Sequence, residues 1–225
     1  MTDDPRTTTD PHADAEILTH GASLADADAS LILLHGRGAP AATMTPLAEA
    51  LTEGLDARVA VRLPQGAGGV WYPQRFVAPR AANQPWLDGA LRLVHRLIEE
   101  ARGAGVPEGR IFVGGFSQGA CLALEAFARR GRPLGGVVAY AGGLIGETLD
   151  PADYPGGLDG TPVFIGSGDP DAHIPTGRVE ESATLLRAKG ASVDARLYPG
   201  LGHTVNEDEL DAGRALLQEA LHADR

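Results

Sequence analysis

The sequence contains one cysteine, Cys121, so no internal disulfide can form. Lysine is equally scarce: of the 19 basic residues only Lys189 is a lysine, and the rest are arginine. With abundant Ala, Gly and Asp, that bias is the composition expected of a GC-rich genome. No stretch reaches the roughly 18 uninterrupted apolar residues that a membrane span needs. The start, MTDDPRTTTDPHADAE, has neither the basic beginning nor the apolar run of a secretory signal, so the expected location is the cytoplasm. Positive charge is short overall: 30 acidic against 19 basic residues leave a net charge of −11. Nucleic acid and anionic membrane surfaces would repel such a chain, which argues against both as partners.

What is present suits one α/β domain. A chain of 225 residues, 43% hydrophobic, buries a single core but leaves no room for a large lid domain. Residues 1–13 are rich in Thr, Asp and Pro without apolar periodicity and are expected to form a disordered tail. Residues 14–225 are expected to form the single domain. Cys121 reads as a small buried hydrophobe rather than a redox centre.

Short apolar runs alternate with helical patterns. Ser30–His35, Ala57–Leu63, Ile111–Val113, Gly136–Tyr140, Pro162–Ile165 and Val193–Tyr198 read as strands. Helices are expected over Pro46–Leu51, Trp86–Arg102, Gln118–Arg130 and Pro175–Lys189, with a last one after Asn206. In the second, Leu87, Leu91, Val94, Ile98 and Ala101 recur at spacings of three and four, an apolar stripe. Asn206 and Glu209 stand at capping-box spacing before Leu210, Ala215, Leu216, Leu217 and Leu221. Alternating strands and helices predict a mainly parallel sheet covered on both faces, with the ligand site at the carboxyl ends of the strands.

Gly115-Phe116-Ser117-Gln118-Gly119 fits G-x-S-x-G, directly after a strand and opening a helix. That is the context of a nucleophile elbow. The serine must sit on a sharp turn with its hydroxyl above the sheet, and a side chain at either flanking glycine would meet backbone. The plainer alternative is a glycine-rich turn with an N-capping serine. His35-Gly36-Arg37-Gly38 follows the first core strand. Its glycines permit a tight turn with N–H groups facing out, so the backbone N–H groups of Arg37 and Gln118 are the expected oxyanion donors. His35 reads as a structural histidine supporting this loop, and is also kept among the substrate-binding candidates.

Gly168-Asp169-Pro170-Asp171-Ala172-His173-Ile174-Pro175 follows a strand and offers two carboxylates. Asp171 is favoured as the residue that orients a histidine base, because it stands four residues before the helix-starting proline; Asp169 is the alternative, or a brace for the turn. No other metal-ligand spacing accompanies Asp169, Asp171 and His173, so no metal site is expected. His203, in Gly200-Leu201-Gly202-His203, lies between the last strand and last helix, where a loop histidine can reach Ser117. His12, His20, His95 and His222 fit that role less well. The chain order Ser117, Asp171, His203 is the order found in α/β-hydrolases.

Together these residues resemble the phospholipase/carboxylesterase family of α/β-hydrolases, which includes acyl-protein thioesterases. The pieces that carry the resemblance are Leu34-His35-Gly36-Arg37-Gly38, Gly115–Gly119, Asp171 with Ile174-Pro175, and Gly202-His203, and it spans roughly residues 28–222. It implies an α/β-hydrolase fold, Ser117, Asp171 and His203 as triad, and Arg37 and Gln118 as oxyanion donors. Trp71-Tyr72-Pro73 and Pro85-Trp86-Leu87, with the Asp169–Pro175 stretch, are more similar to prokaryotic predicted esterases. Where family thioesterases carry Leu-Gly-Asp after the His-Gly pair, this chain has Arg37-Gly38-Ala39, which counts against a protein-thioesterase substrate.

The loop from Gln65 to Pro85 is expected to overhang the site. Trp71, Tyr72, Phe76 and Trp86 either line a substrate pocket there or anchor the loop to the core. The expected activity is a serine carboxylesterase acting on small or medium acyl esters through an acyl-enzyme, with no metal or organic cofactor. An acyl thioesterase or lysophospholipase on the same triad, and a non-catalytic binding protein on the same fold, are the competing readings. The expected partner is a small-molecule ester or thioester, and a homodimer is an open alternative to the monomer.

Overall fold

The computed structural model describes residues 10–223. Seven strands form one sheet: β1 (Ile17–Gly21), β2 (Ala29–Leu34), β3 (Val59–Pro64), β4 (Ile111–Phe116), β5 (Gly136–Tyr140), β6 (Pro162–Asp169) and β7 (Ser192–Pro199). Their order is β1-β3-β2-β4-β5-β6-β7. All neighbours are parallel except β1, which pairs antiparallel with β3. Among the described residues five α-helices join them: α1 (Thr45–Thr52), α2 (Trp86–Gly103), α3 (Gln118–Arg130), α4 (Thr176–Ala188) and α5 (Glu207–Ala223).

Alternation along the strands splits the core into two layers. Ile32, Leu34, Val113, Val137, Ala139, Val163 and Ile165 face α2, α3 and α4. Leu31, Leu33, Phe112, Val138, Tyr140 and Phe164 face α1 and α5. Each successive residue points to the opposite face, so a central strand covered on both sides must be apolar throughout. The stripe of α2 lies against the first layer, with Leu87, Val94, Ile98 and Ala101 fully buried. Burying each such aliphatic side chain is worth about 1.5–3 kcal/mol, more than any surface pair along the helix contributes.

The start of α5 is a reciprocal cap. Asn206 Oδ1 accepts the Glu209 N–H at 2.9 Å, and Glu209 Oε2 accepts the Asn206 N–H at 2.8 Å. Leu216, Leu217 and Leu221 bury as expected. Ala215 does not; it is exposed, and Leu210 faces a cleft rather than the core.

One strand goes beyond the six expected, and two further expectations need correction. Strand β1 lacks the alternation that marks a strand, because at the sheet edge only Ile17 is even half buried. Strands β4 and β6 run past Val113 and Ile165 through Gly114-Gly115 and Gly166-Ser167-Gly168, residues of low strand propensity that close packing requires. A Cβ at Gly114 would stand 2.6 Å from the Val138 carbonyl oxygen, and one at Gly168 2.0 Å from that of Gly202. The disordered tail expected over residues 1–13 does not extend through residues 10–13, while residues 1–9 lie outside the described residues. His12 is buried beside Trp71 and Trp86, and Asp10 accepts the His12 N–H and pairs with Arg92.

No helix among the described residues is long and apolar enough to cross a membrane. The chain passes from β2 outward to β3 and then returns to β4 on the other side of β2. The carboxyl ends of β2 and β4 therefore flank the point where strand order reverses, the place where open α/β sheets bind ligands.

Candidate active site

Ser117 sits between β4 and α3 with φ 55° and ψ −117°. A non-glycine residue rarely adopts this backbone, and the strain persists only because the surroundings enforce it. Ser117 N–H donates to the Tyr140 carbonyl at 2.9 Å, and its own carbonyl accepts the Cys121 N–H at 3.0 Å. The flanking glycines permit the turn. A Cβ at Gly115 would lie 2.6 Å from the Leu34 oxygen, and one at Gly119 only 2.0 Å from that same atom. Gly119→Ala is therefore expected to destabilise the fold by at least about 3 kcal/mol, read from urea unfolding, because backbone on both sides must move. An unfolding midpoint like that of the wild type would show the elbow to be looser than drawn.

The serine does not cap its helix. Its Oγ instead lies 2.9 Å from His203 Nε2, and His203 Nδ1 lies 2.7 Å from Asp171 Oδ2. Residues from the ends of β4, β6 and β7 thus converge above one edge of the sheet. The Asp171 side chain is fully buried. Its Oδ1 accepts the backbone N–H groups of His173 at 2.7 Å and Ile174 at 3.1 Å. Burial pushes the Asp171 carboxyl up, but the His173 N–H, the His203 ring and the Ile174 N–H together outweigh it and hold the pKa below the ordinary carboxylate value. An ionised Asp171 requires the proton on Nδ1 of His203, which leaves Nε2 to accept from the serine hydroxyl. Asp169, by contrast, is exposed at the end of β6, where its carbonyl accepts the Gly200 N–H.

The first residue of α3 is Gln118, so its N–H has no acceptor within the helix. Arg37 lies in the turn after β2, where Gly38 N–H goes to Gly69 and Ala39 N–H to Gly36, while the Arg37 N–H has no acceptor among the described residues. The side chains of the same two residues clamp the overhanging loop. Gln118 accepts the Trp71 N–H at 3.0 Å and donates to the Tyr72 carbonyl at 2.8 Å. The Arg37 guanidinium donates to the carbonyls of Tyr72, Pro73 and Gln74.

A cleft of about 750 Å³ opens over Ser117. Met44, Leu47, Ala50, Val205 and Leu210 form an apolar wall on one side, and Tyr72, Phe76, Ile174 and His173 line the rest. Of the five substrate-binding candidates only Tyr72 and Phe76 reach it. His35 is buried with both ring nitrogens engaged: Nδ1 donates to the Gly36 carbonyl at 2.7 Å and Nε2 accepts the Gly66 N–H at 2.9 Å. Burial lowers its pKa, so it stays neutral. Trp71 is fully buried and donates its indole N–H to the His35 carbonyl, and Trp86 packs edge-on to His12. These three anchor the loop. Cys121 forms part of the cleft floor, its thiol raised to about 12 by burial, which makes it inert. The apolar wall from α1 and α5 has no signature in the sequence, because its residues continue the stripes that also fill the core.

Comparison with known proteins gives a consistent result. A family model described as phospholipase/carboxylesterase matches residues 21–220. The crystal structure of a phospholipase/carboxylesterase from Dyadobacter fermentans superposes with a TM-score of 0.85 at 42% identity, over 90% of this chain and 96% of that one. An acyl-protein thioesterase 1 from Eremothecium gossypii is 29% identical over 224 residues, covering 87% of this chain and 89% of its own. One from Gibberella zeae is 33% identical over 132 residues, so the match spans 55% of that relative's length.

Proposed function

Because the chain belongs to the phospholipase/carboxylesterase family of serine hydrolases, we propose that Ser117, His203 and Asp171 are its catalytic triad and that it hydrolyses esters of short or medium acyl chains. The observation that carries this reading is the continuous path from Ser117 Oγ through both nitrogens of His203 to a buried carboxylate, at 2.9 and 2.7 Å. In the first half-reaction, His203 Nε2 takes the hydroxyl proton as Oγ attacks the carbonyl carbon. The N–H groups of Arg37 and Gln118 receive the developing oxyanion, with the N-terminus of α3 adding a favourable dipole. The tetrahedral intermediate collapses, His203 returns the proton to the leaving alcohol, and an acyl-Ser117 remains. Water activated by the same imidazole then releases the acid.

The cleft supports the substrate range. Met44, Leu47, Ala50, Val205 and Leu210 give it an apolar surface against which an acyl chain can lie. Arg37, where family thioesterases carry an uncharged residue, is tied to three carbonyls of the overhanging loop and narrows the approach for a protein-borne thioester. The cytoplasm is the proposed location.

Fluorophosphonate labelling with peptide mapping tests the triad, and a panel of 4-nitrophenyl esters, acyl thioesters and lysophospholipids tests the substrate. A single adduct on Ser117 and the highest kcat/KM on esters of short or medium chains are expected. A folded sample inert to the probe and to all three classes would overturn the assignment.

A further inference from the structure

The charge of the cleft runs against the charge of the protein. Acidic residues outnumber basic ones 30 to 19 in the chain, yet among the described residues neither Asp nor Glu lines the cleft. Its ionisable wall consists of Arg37, Arg75, Cys121, Tyr72 and the two histidines His173 and His203. Asp171 stands behind His203, its side chain buried.

The two arginines differ in what they do. Arg37 is committed to loop carbonyls. The guanidinium of Arg75 has no hydrogen-bond or ion-pair partner among the described residues, although its backbone is firmly held. The Arg75 carbonyl accepts the N–H of Ala78 and the side-chain amide of Asn83. On either side, Gln74 N–H donates to Asn83 Oδ1 and the Phe76 carbonyl accepts the Gly146 N–H. Five residues further along the same loop, Arg80 pairs with both Glu125 and Asp88, which shows that acidic partners are at hand for an arginine that turns away from the cleft. Tyr72, three residues before Arg75, turns its buried hydroxyl toward the Cys121 thiol at the cleft floor, so it does not compete for a charged ligand.

Arg75 is exposed at the cleft, and a cation there, with no carboxylate among the described lining residues, attracts anions; in an acidic protein it is the local sign that a substrate meets. A guanidinium presents paired donors that match a carboxylate. We infer that Arg75 is a specificity-determining residue that selects esters carrying a carboxylate, with the hydrocarbon end lying against Met44, Leu47 and Leu210. This rests on the esterase reading above and narrows it to amphiphilic, monoanionic esters.

The test uses matched pairs of esters. Mono(4-nitrophenyl) glutarate against 4-nitrophenyl pentanoate places the carboxylate on the acyl half. 4-Carboxyphenyl butyrate against 4-acetylphenyl butyrate places it on the leaving half. In the wild type, at least one carboxylate ester should exceed its neutral partner in kcat/KM. Arg75→Gln should lower that value about tenfold through KM, the size expected of one partly exposed charge pair, while the neutral esters change little. Arg75→Lys should recover part of the loss, and added salt should erode the wild-type preference. Equal behaviour of carboxylate and neutral esters in wild type and Arg75→Gln would overturn the inference and leave the esterase intact. Calorimetric binding of the glutarate monoester to Ser117→Ala, with and without Arg75→Gln, reads the same preference without turnover. Arg75-dependent binding there, in a protein whose wild type hydrolyses nothing, would sink the esterase reading alone.

Discussion

Ser117→Ala is expected to lower kcat by about 10⁶-fold while leaving the fold as it is. Both parts follow from the geometry. Alanine keeps the Cβ that the elbow already accommodates at φ 55°, so the substitution adds no strain and removes none. The side chain makes no helix cap, so α3 loses no hydrogen bond. What disappears is the hydroxyl that bonds His203 Nε2. The N–H groups of Arg37 and Gln118 and the apolar wall remain, so hydrolysis above the rate in water is expected to persist at about 10³–10⁴-fold, from polarisation and binding alone. The measurement is single-turnover hydrolysis of a 4-nitrophenyl ester, with circular dichroism and the urea midpoint as controls. A variant that keeps more than a few per cent of wild-type kcat would place the nucleophile elsewhere.

The elbow was legible before any coordinates because its constraint is steric. Only glycine fits where a Cβ would fall 2.0 or 2.6 Å from the Leu34 oxygen, so the requirement is written into residue identity at Gly115 and Gly119. The interior strands were legible for a similar reason: burial on both faces demands unbroken apolar runs. Strand β1 was not, since a largely exposed edge strand imposes no pattern. The cleft was the least legible part. Trp71 and Tyr72 are adjacent, both aromatic and both buried, yet Tyr72 lines the cleft and Trp71 faces His12 and His35. Nothing in their identity distinguishes these fates, because a loop aromatic gains similar burial against core or cleft. The clamps made by Arg37 and Gln118 depend on loop carbonyls, which every residue carries, so no sequence signal could announce them. Asp169 and Asp171 were separable only in part: Asp169 is the last residue of β6 and Asp171 stands two residues beyond it, and it is the turn between them that leaves one exposed and buries the other.

Asp171→Asn should reduce kcat by about 10⁴-fold with the site's shape preserved. The existing contacts dictate which way the amide must face. Oδ1 of residue 171 accepts two backbone N–H groups, from His173 and Ile174, so the asparagine oxygen is held there and its NH₂ is turned toward His203. An NH₂ donor cannot accept from Nδ1–H, so the imidazole shifts its proton to Nε2, where it can no longer receive the serine hydroxyl's. The same substitution carries a pH signature. The Asp171 pKa is depressed in the folded chain relative to the unfolded value of about 3.9, so the ionised group stabilises the fold at every pH above that value. This contribution is lost as pH falls through the lower folded pKa. The stability gap between wild type and Asp171→Asn should therefore be constant from about pH 5 upward and close below about pH 4, as measured by urea unfolding across that range. Asp169→Asn is the paired control. Its side chain is exposed and its structural role is served by its backbone carbonyl, so kcat should stay near wild type. The reverse pattern, with Asp169→Asn inactive and Asp171→Asn active, would move the acid of the triad two residues back and leave the short contact to His203 without a catalytic meaning.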